Sequence, residues 1–216
     1  MLRLDPWPEA TEVGATQSVP AGTRLFRQGD SPGTLYLVTV GCVKLTCSDD
    51  GGRERLTALR LPGWLIGAAA ATLALPHPVT AEALGPCDVR PIPLVGFLRL
   101  QQTNLAVVQW LQRMQSREAY DQVSLLGLLG PAESGLRLER LLIKLLQAGY
   151  ERRSDGSLKP TIHLQHEEMA QAIGTTRETI GRLLGRFERR GDLRREDGWV
   201  LFPERSRLVL AANVDR

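Results

Sequence analysis

Two hydrophobic rhythms run along the chain, and the change between them falls near Phe97. From residue 19 to 95, short apolar runs such as Leu35-Tyr36-Leu37-Val38 and Val43-Lys44-Leu45-Thr46 are divided by turn signals at Gln28-Gly29-Asp30, Gly41, Asp49-Asp50-Gly51-Gly52 and Leu61-Pro62-Gly63. Strands spaced about 8–12 residues apart predict a sandwich or barrel. The Asp50-Gly51-Gly52 tip predicts a hairpin, because Gly accepts the positive φ that such turns need.

After Phe97 the period becomes helical. From Thr103 to Leu129 there is no Pro, and no Gly before Gly127. Leu105, Val108, Ala119, Leu126 and Leu129 recur in steps of three and four, with Gln112, Gln115 and Gln122 in the gaps. This predicts one helix spanning about 40 Å. Its stripe suits either a dimer helix or a helix packed on its own domain. Gly130-Pro131-Ala132-Glu133-Ser134-Gly135 reads as a hinge. A second amphipathic helix is predicted over 136–150, with Leu138, Leu141, Leu142, Leu145 and Leu146 on one side. Lys159–Leu164 reads as a short strand.

The segment His166–Arg190 has the spacing of a helix-turn-helix. Ala170 is small where two helices would approach most closely. Gly174 can take the left-handed conformation of the tight turn. Ile180 is the apolar residue facing back, and Met169, Ile173, Leu183 and Phe187 complete a small core. Thr175 is the predicted N-cap of the second helix, with Glu178 completing a capping box. At about 100° per residue, Arg177, Glu178, Gly181 and Arg182 point away from Ile180, Leu183 and Phe187. They also lie at the N-terminal end, the part of a recognition helix that reaches base edges. Arg can bond guanine O6 and N7 together, and a carboxylate can accept from cytosine N4. Gly181 would let such a helix sit deep in a groove. Beyond Gly191, Leu193-Arg194-Arg195 and Trp199-Val200-Leu201-Phe202 flank Asp197-Gly198, which predicts a hairpin wing. Arg194 and Arg195 either meet phosphates there or lie along a solvated edge.

Charge sharpens this picture. Residues 1–132 hold 11 basic and 11 acidic side chains, so the net +3 lies wholly in 133–216, with 16 against 13. Within 177–195 there are seven Arg and three acids, the electrostatic footprint of a phosphate-binding element. Cys42, Cys47 and Cys87 are an odd set without C-x-x-C spacing. They are read as free, buried or half-buried thiols rather than disulfide or zinc ligands. No apolar run is long enough for a membrane span and no signal peptide opens the chain, so a cytoplasmic location is expected.

These elements resemble the CRP/FNR family (cyclic-AMP receptor protein / fumarate–nitrate regulator) across residues 18–205. Pro20-Ala21-Gly22-Thr23-Arg24-Leu25-Phe26-Arg27-Gln28-Gly29-Asp30, Leu35-Tyr36-Leu37-Val38 and Gly41-Cys42-Val43-Lys44-Leu45 resemble a cyclic-nucleotide-binding jelly roll. Arg177-Glu178-Thr179-Ile180-Gly181-Arg182 closely resembles the family's recognition helix. The resemblance implies an α+β fold: a jelly-roll sensor (1–102), a dimerisation helix and hinge (103–132), and a winged helix-turn-helix (133–216). It implies double-stranded DNA as partner, base reading by Arg177, Glu178 and Arg182, and phosphate contacts from His166, Thr176, Arg186, Arg194 and Arg195. It further implies a homodimer on a palindromic TGTGA-like operator, and contact with RNA polymerase if the regulator activates.

The effector half departs from the family. The pocket stretches correspond to Ile66-Gly67-Ala68 and Val79-Thr80-Ala81. Ala68 stands where the ribose-binding Glu belongs, and Val79 where the phosphate-binding Arg belongs. Gln122 and Val123 lie near the purine contacts. Without its Arg, an anionic cyclic phosphate loses the charge-assisted pair that offsets its desolvation, so cyclic AMP is not expected. Residues 1–41 have no Cys for an iron–sulfur cluster, and Pro76-His77-Pro78 reads as a rigid exposed turn rather than a haem ligand. The run Ala68-Ala69-Ala70-Ala71 suits an uncharged or hydrophobic effector, or none. His163 and His166, with Glu167 and Glu168 adjacent, straddle a helix start and suit phosphate contact better than a metal. One histidine in 1–162 is too few for a cupin-type metalloenzyme, so no catalytic residue, metal or cofactor is assigned. The competing reading is a dimeric scaffold that senses a cyclic nucleotide or haem and binds DNA with little specificity.

Overall fold

The computed structural model describes residues 7–8, 14–49, 51–52, 54–126 and 134–213. The chain divides into two compact units, Met1–Ser124 and Leu125–Arg216. In the first, the strands are β1 (Gln17–Val19), β2 (Arg24–Phe26), β3 (Thr34–Val40), β4 (Val43–Ser48), β5 (Glu54–Arg60), β6 (Leu65–Ile66), β7 (Thr80–Ala83) and β8 (Cys87–Pro93). They form two four-stranded antiparallel sheets, ordered β1-β8-β3-β6 and β2-β7-β4-β5. This is the expected jelly roll.

Strand β3 explains why its apolar run is unbroken. Tyr36 and Val38 pack between the sheets with Phe26, Val43, Leu45, Ile66, Ala81, Ala83 and Cys87. Leu35 and Leu37 point the other way, into a cluster with Phe97, Leu100, Val107, Trp110, Leu111 and Met114. A strand buried on both faces needs no polar alternation. The helices supplying the second cluster are α1 (Ala68–Leu73), α2 (Leu94–Thr103) and α3 (Leu105–Leu126).

The helix expected from Thr103 is α3, which starts two residues later at Leu105, since Thr103 ends α2. Asn104 separates the two with an extended backbone (φ −124°, ψ 96°). Its Oδ1 accepts from the Val107 amide at 3.1 Å and so caps α3. Of the two uses expected of the helix, packing on its own domain is the one seen, and it takes one face. Val107, Trp110, Leu111 and Met114 are buried in the unit's own core. Leu105, Gln112, Gln115, Ala119 and Gln122 are exposed, and Val108 is half-buried. Leu129 lies outside the described residues. Trp7 packs edge-on against Trp110 with ring centroids 4.8 Å apart. Arg60 pairs with Glu118 on α3 and lies over the Trp64 ring.

His77 is not on an exposed turn. It is 3% exposed and stacks on Phe26, with centroids 3.7 Å apart and planes 9° from parallel. Two flanking prolines suggested exposure. The backbone instead ties the segment inward, as the His77 N–H donates to Asp30 O and its carbonyl accepts from the Gly29 amide. All three cysteines are free: Cys42 and Cys87 are buried and Cys47 is half-buried, as expected. Burial pushes the Cys42 thiol up to about 12.

The second unit contains α4 (Ser134–Ala148), β9 (Tyr150–Arg152), β10 (Leu158–Pro160), α5 (His166–Ile173), α6 (Arg177–Arg189), β11 (Arg194–Glu196), β12 (Trp199–Leu201) and α7 (Arg207–Ala212). Ser134 and Gly135, read as hinge, already belong to α4, and residues 130–133 of the hinge lie outside the described residues. Leu138, Leu141, Leu142, Leu145 and Leu146 are all buried, as their spacing predicts. The strand read at 159–164 is the shorter β10. Among the described residues no helix is long and apolar enough to cross a membrane.

Burial lowers the His77 pKa below its ordinary 6.5, against a smaller upward pull from Asp30. The unfolded chain therefore takes up a proton that the folded unit resists. Stability of the first unit should fall as pH drops below about 6.5, and His77→Gln should flatten that fall. Urea unfolding followed by tryptophan fluorescence between pH 7.5 and pH 5 checks this. An unchanged pH profile would remove His77 as the cause.

Candidate nucleic-acid interface

The helix-turn-helix is assembled from local rules. Helix α5 starts with the Gln165 amide donating to Glu168 Oε2 at 2.9 Å, half of a capping arrangement. It ends at Gly174, whose φ of 65° and ψ of 52° are left-handed, as the turn requires. The Thr175 amide donates to Ala170 O at 2.9 Å. Helix α6 then begins one residue later than expected. Thr176, not Thr175, is the N-cap, and its Oγ1 accepts from the Thr179 amide at 3.2 Å. Glu178 is therefore one position short of a capping box and is left to solvent.

The predicted core residues Met169, Ala170, Ile173, Ile180, Leu183 and Phe187 are all buried, joined by Leu184. They pack α6 onto α5 and α4. The opposite face carries Arg177, Glu178 and Arg182, all exposed. Arg182 Nη2 donates to Thr179 Oγ1 at 3.3 Å, and Thr179 Oγ1 lies 3.0 Å from Thr176 Oγ1. A Cβ at Gly181 would meet no heavy atom within 4 Å, so nothing inside the unit requires a glycine there.

One supporting residue was missed in the sequence. Arg137 of α4 is 5% exposed, donates from Nε to the Ile173 carbonyl at 2.7 Å and from Nη2 to Ser134 Oγ at 3.0 Å. It holds the last carbonyl of α5, just before the turn. An arginine one step before an all-leucine stripe was the available signal.

Strands β11 and β12 form the expected wing, in register Arg194↔Leu201 to Glu196↔Trp199. Asp197 and Gly198 both have positive φ (49° and 80°), the type I′ pattern. His163 Nε2 sits 3.1 Å from the Gly198 carbonyl oxygen, and Lys159 Nζ lies 4.1 Å from the Trp199 ring centre. The wing arginines are already paired. Arg194 contacts Asp155, with Glu196 at 3.6 Å, and Arg195 meets Glu188 at 2.6 Å. Hydrogen bonds from the Ser157 hydroxyl and amide, then Arg194, hold the Asp155 carboxyl well below its usual range. His166, half-buried at the start of α5, has its pKa lowered by burial first, then by the charges of Arg195 and Arg177. By contrast Arg177, Arg182, Arg186 and Arg189 make no ion pair among the described residues.

The residues expected to line an effector pocket in the first unit lie in several different surroundings. Ile66 and Ala81 are buried between the sheets, with Val79 packed beside them. Ala68 packs in the helix-side cluster. Thr80 Oγ1 accepts from the Gln28 amide at 3.0 Å. Gly67 faces the stacked His77 and Phe26, since a Cβ there would lie 3.3 Å from His77 Cε1. Gln122 and Val123 are exposed on α3.

Comparison with known proteins agrees with both halves. Residues 16–104 match the family described as Cyclic nucleotide-binding domain, and residues 136–210 match the Crp-like helix-turn-helix domain. The chain is 31% identical over 178 residues to the transcriptional activator protein FnrA of Stutzerimonas stutzeri, covering 81% of this chain and 71% of that protein. It is 31% identical over 181 residues to the cyclic AMP receptor protein of Thermus thermophilus, covering 84% and 80%. A solved CRP/FNR family transcriptional regulator from the same organism superposes with a TM-score of 0.71 at 25% identity, covering 92% of this chain and 98% of that one.

Gly174 fixes the angle between α5 and α6. An added Cβ would meet no heavy atom within 4 Å, so a substitution is opposed by backbone conformation alone. Gly174→Ala should cost the second unit about 1 kcal/mol, the left-handed penalty less the offset from the conformational entropy that the substitution removes from the unfolded chain. Equilibrium urea unfolding measures this, and an unchanged midpoint would show that the turn relaxes.

Proposed function

Because the chain belongs to the CRP/FNR family of DNA-binding transcription regulators, we propose that it reads a palindromic TGTGA-like operator as a homodimer, with one α6 per major groove. Arg177, Glu178 and Arg182 are the base-reading residues in this proposal. The observation that carries it is their shared exposure on the face of α6 opposite Ile180, Leu183, Leu184 and Phe187. None of the three is drawn into an ion pair among the described residues. The open space at Gly181 supports close approach to base edges. His166, Thr176 and Arg186 take phosphates. Arg194 and Arg195 contribute only the donors that their carboxylate partners leave over.

The exposed α3 stripe of Leu105, Gln112, Gln115, Ala119 and Gln122, with half-buried Val108, supports a second copy as its partner. In this reading residues 1–102 sense, 103–132 dimerise and hinge, and 133–216 bind DNA. RNA polymerase would be a further partner of an activator.

A cyclic nucleotide does not fit the residues present. Ala68 is turned into the helix-side cluster, Val79 packs into the roll, and the Phe26–His77 stack lies against Gly67. No cation stands among Ile66, Gly67, Ala68, Val79, Thr80 and Ala81 to offset the desolvation of a phosphate. DNA binding without cyclic AMP follows, with any effector being uncharged or hydrophobic.

Arg182→Ala should cost about 1–3 kcal/mol per half-site and relax preference at one base pair. Anisotropy titrations against the symmetric duplex and single-base variants measure it. Uniformly weakened binding with unchanged selectivity would assign Arg182 to phosphate instead.

A further inference from the structure

Arg195 is tied to α6 through both its side chain and its backbone. Its Nη2 and Nε donate to Glu188 Oε2 at 2.6 and 3.0 Å, and its backbone amide donates to Glu188 Oε1 at 3.1 Å. Glu188 belongs to the last turn of α6, the helix that carries Arg177 and Arg182. One carboxylate thus joins the wing to the recognition helix through both side chain and main chain. Arg195 also stands beside the start of α5, close enough for its charge to act on His166. It is one of the residues assigned above to phosphate, and its charge is already matched by Glu188.

We propose that Glu188 is a specificity-determining residue that withholds Arg195 from the phosphates of non-operator DNA. This rests on the DNA-reading role assigned above to α6. Phosphate contacts are sequence-independent and govern non-specific affinity. An arginine free to swing finds a phosphate on any duplex, in or out of register. Latched to α6, it meets a phosphate only where the helix itself has docked. The exposed ion pair contributes little stability by itself, so its effect lies in where the charge is held.

The test is a double-mutant cycle of Glu188→Gln and Arg195→Gln, titrated on a non-operator duplex and on the symmetric operator over a range of salt. E188Q should raise non-operator affinity several-fold at low salt and steepen its log–log salt slope by about one per protomer. Operator affinity should change less, so the preference narrows. In the R195Q background the same substitution should do nothing to the slope. An equal effect in both backgrounds would mean that Glu188 merely repels phosphate, and an unchanged slope would mean that Arg195 is never released; either overturns the proposal. Should E188Q disturb the hairpin, Arg195→Lys decides: it keeps the charge but loses the paired Nε and Nη2 donors to Glu188, so its non-operator slope should steepen as well, and an unchanged slope overturns the latch. Loss of operator preference in the unsubstituted protein would instead defeat the base-reading assignment, which the non-operator slopes do not depend on.

Discussion

Everything proposed for this chain depends on which side of α6 is buried. Ile180, Leu183, Leu184 and Phe187 turn one face onto α5 and α4. Burying four large apolar side chains contributes several kcal/mol, far more than any hydrogen bond on the outer face. That imbalance fixes the rotation of the helix about its axis. Arg177, Glu178 and Arg182 are exposed because the other side has no alternative. The left-handed Gly174 and the buried Arg137 then set the angle and the anchor of the pair.

Around this frame the charges are sorted into two kinds. Arg194 and Arg195 on the wing are matched by Asp155, Glu196 and Glu188. Arg190 and Arg207 share the buried carboxylate of Asp192. Arg177, Arg182, Arg186 and Arg189 have no such partners among the described residues. The local arginine excess is therefore concentrated on α6, where a major groove would meet it, rather than spread over the unit. In the first unit Phe26, Val38, Val43 and Leu45 pack together between the sheets, and Phe26 stacks on His77.

What was legible in the sequence was what neighbours in the chain decide. The spacing of Ala170, Gly174 and Ile180, the outward Arg177-Glu178-Arg182 face and the Asp197-Gly198 wing are all set within a turn or two. The jelly roll was legible from strand spacing. The misreadings have longer range or finer scale. His77 looked exposed between two prolines because Phe26, its stacking partner, lies far away in the chain. The α3 stripe was read through Leu105 and Val108, while Trp110 and Met114 on the adjacent face made the core. Thr175 and Thr176 are both good caps, and only the backbone of the turn chooses the second. Glu188 was only one of the three acids counted within 177–195, since nothing in a linear reading brings it to Arg195.

The central claim is that the chain discriminates an operator through α6 without a cyclic nucleotide. The most direct measurement is equilibrium binding of the unliganded protein to a symmetric TGTGA-type duplex and to a scrambled duplex at one fixed salt concentration, repeated with cyclic AMP. The account predicts a preference of at least about 10³ for the symmetric site, unchanged by the nucleotide. Equal affinity for the two duplexes, or a preference that appears only with cyclic AMP, would contradict it.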